Sequence, residues 1–110
     1  MPRDFEVYVE DIRQAIAKIQ SYTAGLTREA FAQDAKSVDA VIRNLEIIGE
    51  AAKMIPGSIR VKYANVEWKK IAGLRDILAH QYFDVDLDIV WDIVRNKLPT
   101  LEHELNQVSE

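Results

Sequence analysis

The sequence of 110 residues contains no cysteine, three prolines, four glycines and two histidines. The absence of cysteine excludes a disulfide framework, thiolate metal ligands and a cysteine nucleophile. The first residues carry acidic groups and no apolar stretch, so no secretory signal is expected. No segment approaches the ~18 consecutive apolar residues of a membrane span. These absences predict a cytoplasmic protein with no membrane partner.

The composition is that of one folded domain. Hydrophobic residues make up 48% of the chain and charged residues 29%. This balance supplies a core without disulfide or metal staples and keeps the surface polar. The length is close to the commonest domain size, so residues 1–110 are predicted to form a single domain.

Apolar residues recur every three or four positions through most of the chain, which is the spacing of amphipathic helices. The longest stripes cover residues 5–22, 38–55, 68–78 and 87–108, with a short one near residues 30–31. No segment alternates with the period of two that a strand requires. The sequence therefore predicts an all-α fold, an up-and-down bundle of four to five helices joined by short loops.

Several residues are placed where helices should begin or end. Gly25 follows the first stripe, as a glycine does after a last helical turn. Pro99 lies inside the last stripe and is expected to kink or divide that helix. The residues predicted to cap later helices are Thr27, Asp34 or Ser37, Asn65, and Asp84 or Asp86.

The charges are unevenly distributed along the sequence. The net charge is −4, but residues 53–75 hold six basic groups and one acidic group. An acidic protein is a poor general binder of nucleic acid, whereas a local basic segment permits a phosphate site. The alternative is that the lysines of this segment only solvate a helix face.

Arg75, His80 and Tyr82 lie together at the end of the third long stripe. On a helix, Arg75 and His80 are about 140° and ~7.5 Å apart, a separation that a long arginine side chain can bridge. Arginine grips phosphate with two hydrogen bonds, and histidine moves protons near neutral pH. Two interpretations remain open: a phosphate site, or a helix end whose basic residues complement the helix dipole while Tyr82 packs in the core.

No metal or cofactor site is expected. Histidine and carboxylate ligands do not converge at helical spacing, and the four glycines are too scattered for a phosphate loop. His103 lies between Glu102 and Glu104 and is interpreted as a solvated histidine.

Three blocks of sequence and one spacing resemble the HepT-like branch of the HEPN superfamily, the toxin half of the MNT/HEPN toxin–antitoxin modules. The spacing is Arg75, four residues, His80, one residue, Tyr82. The blocks are RNLEIIGEAA at 43–52, WKKIAGL at 68–74 and FDVD at 83–86. The resemblance covers essentially the whole chain.

The resemblance implies a HEPN-like homodimer with metal-independent endoribonuclease activity. Arg75 and His80 would be the catalytic residues, in a cleft between the two copies. Asp76, the supporting residue of the site, stands where the family often has asparagine. If it orients the histidine it would make the imidazole more basic, and if it faces RNA it would repel phosphate. Lys69 and Lys70 are expected to contact RNA phosphates.

The resemblance also implies a protein partner. In the toxin–antitoxin modules it resembles, of type VII, a minimal nucleotidyltransferase antitoxin attaches AMP to the signature tyrosine, which is Tyr82 in this chain. The alternative hypothesis is a non-catalytic dimeric helical module that binds a nucleotide or a protein.

Overall fold

The computed structural model describes residues 4–80 and 86–108, and for residues 75–80 it describes the backbone alone. Its helices are α1 (Phe5–Thr23), α2 (Arg28–Gln33), α3 (Ala35–Lys53), α4 (Gly57–Lys62), α5 (Trp68–His80), α6 (Leu87–Asp92) and α7 (Leu98–Leu105). A π-helical turn, Ile93–Lys97, joins α6 to α7 without a break. No helix in these residues is long and apolar enough to cross a membrane.

The predicted all-α fold is confirmed. Every regular element in residues 4–80 and 86–108 is helical. The four predicted long helices correspond to α1, α3, α5 and the continuous α6–α7 rod. The other two helices, α2 and α4, are only six residues long and connect the long ones.

The central element is α3, which packs against α1 on one side and α5 on the other. Because α3 is covered from two sides, its apolar positions form a wide stripe and not a single seam. Burying each large aliphatic side chain of this stripe stabilises the fold by about 1.5–3 kcal/mol. The buried apolar residues of α3 are Val41, Ile42, Leu45, Ile48, Ala51 and Ala52.

Side-chain hydrogen bonds cap the starts of α2 and α3. Thr27 accepts a hydrogen bond from the Ala30 amide at 3.1 Å, and Asp34 accepts one from the Ser37 hydroxyl at 2.8 Å. The side-chain and backbone bonds from Ser37 hold the pKa of the Asp34 carboxyl below its usual value. Gly25 has a φ of 76°, the left-handed conformation that favours glycine after a helix.

Two of the cap predictions concern later helices. Asp86 caps α6 by accepting a bond from the Asp88 amide at 2.9 Å, as expected for one of the two alternatives. The prediction for Asn65 is wrong, because α5 begins three residues later, at Trp68. Asn65 lies in a turn in which the Val66 amide donates to the Tyr63 carbonyl, and this turn buries both Val66 and Trp68.

The disturbance expected at Pro99 takes the form of the π-helical turn. Proline has no amide hydrogen, so the carbonyl of Arg95 loses its normal helical donor. Directly before the proline, the Leu98 amide donates to the Ile93 carbonyl, five residues back instead of four. The wider turn keeps Val94, Leu98 and Leu101 in the core while the helix continues.

Candidate functional site

Helix α5 carries three of the predicted site residues, Arg75, Asp76 and His80. The helix is continuous through position 80, so Arg75 and His80 are ~7.5 Å apart along its axis. Their side chains, and Tyr82 as a whole, lie outside the described residues. The predicted meeting of the three signature side chains therefore stays a prediction.

Packing at the start of α5 fixes the direction of this helix. Trp68 is 4% exposed, and its indole Nε1 donates to the Tyr63 carbonyl at 3.1 Å. Ile71 and Ala72 are buried on the same side. This anchor sets both the axis and the rotation of α5, and hence the register of the backbone positions that follow.

The helical register separates the two signature positions. Position 75 follows Trp68 by seven residues and Ile71 by four, so its backbone is in helical register with those two residues. Position 80 follows Asp76 by four and Gly73 by seven, on a different stripe that begins at exposed Lys69. Positions 75 and 80 therefore lie on different sides of α5, about 140° apart around the helix axis.

Positive charge collects where α4 turns into α5. Lys69 and Lys70 are both exposed. Lys70 Nζ lies 3.4 Å from Glu67 Oε2, and the Lys62 ammonium lies 5.5 Å from the centre of the Tyr63 ring. Among the residues that the structure describes, Lys69 has no ion-pair partner. The predicted basic segment therefore forms a charged surface that runs from α4 to the first turn of α5, the helix that carries Arg75 and His80.

Arg60 has a structural role that the sequence analysis did not identify. Its guanidinium donates to the carbonyls of Ile55 at 3.1 Å and Ala52 at 2.8 Å. These carbonyls belong to the C-terminal end of α3 and the following residues, where a cation also complements the helix dipole. The usable signal was a basic residue shortly after the Pro56–Gly57 helix stop. Its charge adds to the basic surface while its hydrogen bonds hold α4 against α3.

A groove of about 430 Å³ lies between α5 and the α6–α7 rod. We call it the α5–α7 groove. Its apolar lining consists of Ile71, Leu74, Ile93, Leu98 and Leu101, and its polar lining of Asn65, Glu67, Lys70, Asn96, Lys97, Thr100 and Glu104. A second concavity shares Glu67 and Lys70 with it and adds Arg60 and Lys69. Leu74, which lines the groove, is the residue directly before Arg75.

Comparison with known proteins defines the class of the molecule. Residues 12–108 match the family described as "Ribonuclease HepT-like". A protein of Thermococcus cleftensis named "Probable ribonuclease HepT" is 39% identical over 98% of both chains. The chain therefore belongs to the ribonuclease HepT-like family. The predicted family and the predicted ribonuclease class are confirmed at this level.

Two relatives from Methanocaldococcus jannaschii extend the comparison. One, named "Putative RNase", is 41% identical over 98% of this chain and 90% of its own length. The other, named "Gamma-glutamylcyclotransferase and putative RNase", is 40% identical over the whole chain. The chain spans only 50% of that second relative. No solved structure matches the chain.

Gly73 provides a test of the environment of α5. A methyl group at Gly73 meets no described atom within 4 Å. Replacing a helix-interior glycine by alanine reduces the entropy lost on folding, so we expect Gly73→Ala to raise the free energy of unfolding by about 0.5–1 kcal/mol. Urea denaturation followed by circular dichroism measures this change.

Gly25→Ala is the matched control, because the φ of 76° at Gly25 strains any residue with a Cβ. We expect this variant to be destabilised by about 1–2 kcal/mol. A destabilised Gly73→Ala protein would contradict the open environment described for that face of α5.

Proposed function

We propose that this protein is a metal-independent endoribonuclease and the toxin of a type VII-like HEPN/MNT toxin–antitoxin module. One observation carries the proposal. The complete Arg75–His80 spacing lies on a single continuous helix in a chain of the ribonuclease HepT-like family. The basic surface formed by α4 and the first turn of this helix supports an RNA substrate, since phosphate neutralisation supplies most of the affinity for nucleic acid.

The residue types at positions 75 and 80 suit cleavage of RNA through its own 2′-hydroxyl group. The 2′-oxygen attacks the adjacent phosphorus, a base takes its proton, and the 5′-oxygen leaves with a proton from an acid. His80 serves the proton transfers, which typically contribute about 10²–10⁴-fold in rate. Arg75 stabilises the negative charge that develops on the phosphorus oxygens. DNA lacks the 2′-hydroxyl and is excluded as a substrate.

A homodimer completes the catalytic set. A single histidine cannot act as base and acid in the same step, whereas two copies of α5 facing one cleft provide two histidines and two arginines. The chain has one other histidine, His103, which is exposed on α7 between two glutamates. The proposed cleft therefore pairs His80 of one copy with His80 of the other.

Asp76 is proposed as a positioning residue for His80. The two residues are four apart on α5, the separation at which helical side chains are neighbours. A nearby carboxylate favours the charged imidazolium and raises the pKa of a histidine. In this role Asp76 biases His80 towards its acid form.

The proposed antitoxin is a minimal nucleotidyltransferase that modifies Tyr82. The phenol oxygen attacks the α-phosphorus of ATP, loses its proton and releases pyrophosphate. The product carries an additional phosphodiester charge and an adenine beside Arg75. A tethered phosphate competes with the RNA phosphate for the same arginine, which gives a physical reason for inhibition.

We expect His80→Ala and Arg75→Ala each to abolish RNA cleavage and cellular toxicity with little change in stability. The reason is that both variants remove polar groups assigned to the reaction. Cleavage of a labelled RNA and urea denaturation measure the two effects, and His103→Ala serves as the control that keeps activity. Two folded and fully active variants would contradict the assignment, and unfolded variants would favour the structural interpretation of this helix end.

The dimer has a separate test. Sedimentation velocity at micromolar concentration should give a dimer for the wild type and for both alanine variants. A monomer in all three would contradict the shared cleft.

We expect Tyr82→Phe to keep ribonuclease activity and to become insensitive to the antitoxin. An unmodified phenol has a pKa near 10 and is a poor base at neutral pH, so its loss should not slow the chemistry. Intact-mass spectrometry of protein co-expressed with its antitoxin should show gains in multiples of one AMP for the wild type only. No such gain, or a gain that persists in Tyr82→Phe, would contradict the assignment. A less stable and less active variant would instead make Tyr82 a buried anchor.

A further inference from the structure

We propose that the α5–α7 groove holds a nucleotide of the single-stranded RNA next to the cleaved phosphate, with Lys70 and Lys97 on the flanking phosphates. The inference rests on the proposed ribonuclease function and assigns a binding subsite to it. It concerns residues outside the Arg75–His80–Tyr82 signature.

The lining of the groove suits a nucleobase. Its floor is aliphatic, with Ile71 and Leu101 each 8% exposed at the surface. A volume of about 430 Å³ lies within the range of small-molecule sites, which are mostly apolar with a few polar groups. The flat face of a base can cover the aliphatic floor while its polar edge remains at the rim.

The rim supplies groups that can contact the edge of a base. Asn96 Nδ2 donates to Asp92 Oδ1 at 2.6 Å, which orients the amide of Asn96 on the π-helical turn. An oriented amide has a second N–H donor and a carbonyl acceptor to offer. Asn65 adds a further amide from the opposite side of the groove. These two residues come from segments that only the fold brings together.

Both walls of the groove carry a cation that can contact phosphate. Lys70 lies on the α5 side and Lys97 on the π-helical turn, and the lining also holds two acids, Glu67 and Glu104. The 3.4 Å contact between Lys70 and Glu67 joins two exposed side chains, and such pairs contribute little and exchange readily for another anion. The adjoining concavity adds Arg60 and Lys69 and no further acid. Positive charge therefore continues beyond the groove, as the backbone of a single strand requires.

The position of the groove matches a strand that leaves the catalytic residues. Leu74 lines the groove and immediately precedes Arg75. Position 80 lies only ~9 Å further along the α5 axis. A strand whose phosphate is held between positions 75 and 80 can thus enter the groove within a few nucleotides. π-helical turns occur frequently at functional sites, and this one carries both Asn96 and Lys97.

The experiment measures binding of a fluorescein-labelled single-stranded RNA to the full chain carrying His80→Ala, which binds without cutting. We expect Lys97→Gln in this background to weaken binding about fivefold, a loss of roughly 1 kcal/mol. The slope of log K against log salt should fall by about 0.7, the value for one lost phosphate contact with a single strand. Lys18→Gln, an exposed lysine on α1, is the matched control and should change neither quantity.

A second variant tests whether a nucleobase occupies the groove, separately from the phosphate contact. Thr100 is exposed at the rim, and Thr100→Trp places a bulky ring in the groove. We expect about tenfold weaker RNA binding, roughly 1.4 kcal/mol, with an unchanged salt slope. If the tryptophan variant does not fold, Asn96→Ala replaces it, and the same two quantities, RNA affinity and salt slope, are measured.

Two results would contradict the proposed subsite. RNA binding of Lys97→Gln equal to that of Lys18→Gln would overturn the subsite. So would a Lys97→Gln protein that loses affinity for the antitoxin while binding RNA normally, since the groove would then serve a protein partner. The proposed ribonuclease function is tested separately, because it stands or falls with cleavage by Arg75 and His80 in the otherwise unmodified chain.

Discussion

The packing of α5 against α3 is the contact on which the site depends. Leu45 and Ile48 on α3 are fully buried, and Trp68, Ile71 and Ala72 lie in the same core. Because α3 is itself packed against α1, it forms a fixed platform and not a surface helix. The backbone at positions 75, 76 and 80 inherits its place from this platform. The core packing of α3 and α5 therefore holds the backbone of the short signature motif at a defined place in the fold.

The fold also brings together three cations, Arg60, Lys69 and Lys70, that the sequence spreads over eleven residues. Arg60 is drawn to the carbonyls at the end of α3, and the turn after α4 places Lys69 and Lys70 nearby on α5. The result is a basic surface on a protein whose net charge is −4. Such a local field attracts phosphate only near the signature helix, while the acidic remainder disfavours indiscriminate binding. The proposed RNA path follows this surface.

The sequence predicts those parts of the structure that depend on neighbours along the chain. The caps at Thr27 and Asp34 need only a partner three residues away, and the long helices follow from their apolar stripes. The cap proposed for Asn65 was wrong because burial of Val66 and Trp68, a tertiary effect, decided where α5 begins. The sequence predicts a disturbance at Pro99. That it takes the form of a π-helical turn depends on tertiary packing, because the wider backbone hydrogen bond keeps the apolar side chains of α6–α7 in the core.

The candidate site likewise has one part that the sequence predicts and another part that depends on tertiary packing. The spacing of Arg75, His80 and Tyr82 is visible in the sequence because these residues are close along the chain. Asn96 and Lys97 could not be connected with them, since 13 to 21 residues intervene and only the packing of the α6–α7 rod beside α5 makes one groove. The sequence signal in this region is Pro99, which predicts a disturbance of the last helix but no connection with Arg75.

The chemistry of the cut is the most direct test of the account, because the Arg75–His80 mechanism uses the nucleophile that RNA itself provides. The measurement compares an RNA oligonucleotide with the same oligonucleotide carrying one 2′-deoxy sugar at the mapped cleavage position, with product ends identified by mass spectrometry. The account predicts that the unmodified RNA is cut to a cyclic or 3′-phosphate end and a 5′-hydroxyl end, and that the deoxy substitution blocks this cut. Cleavage at the deoxy position, or products with 3′-hydroxyl and 5′-phosphate ends, would contradict it.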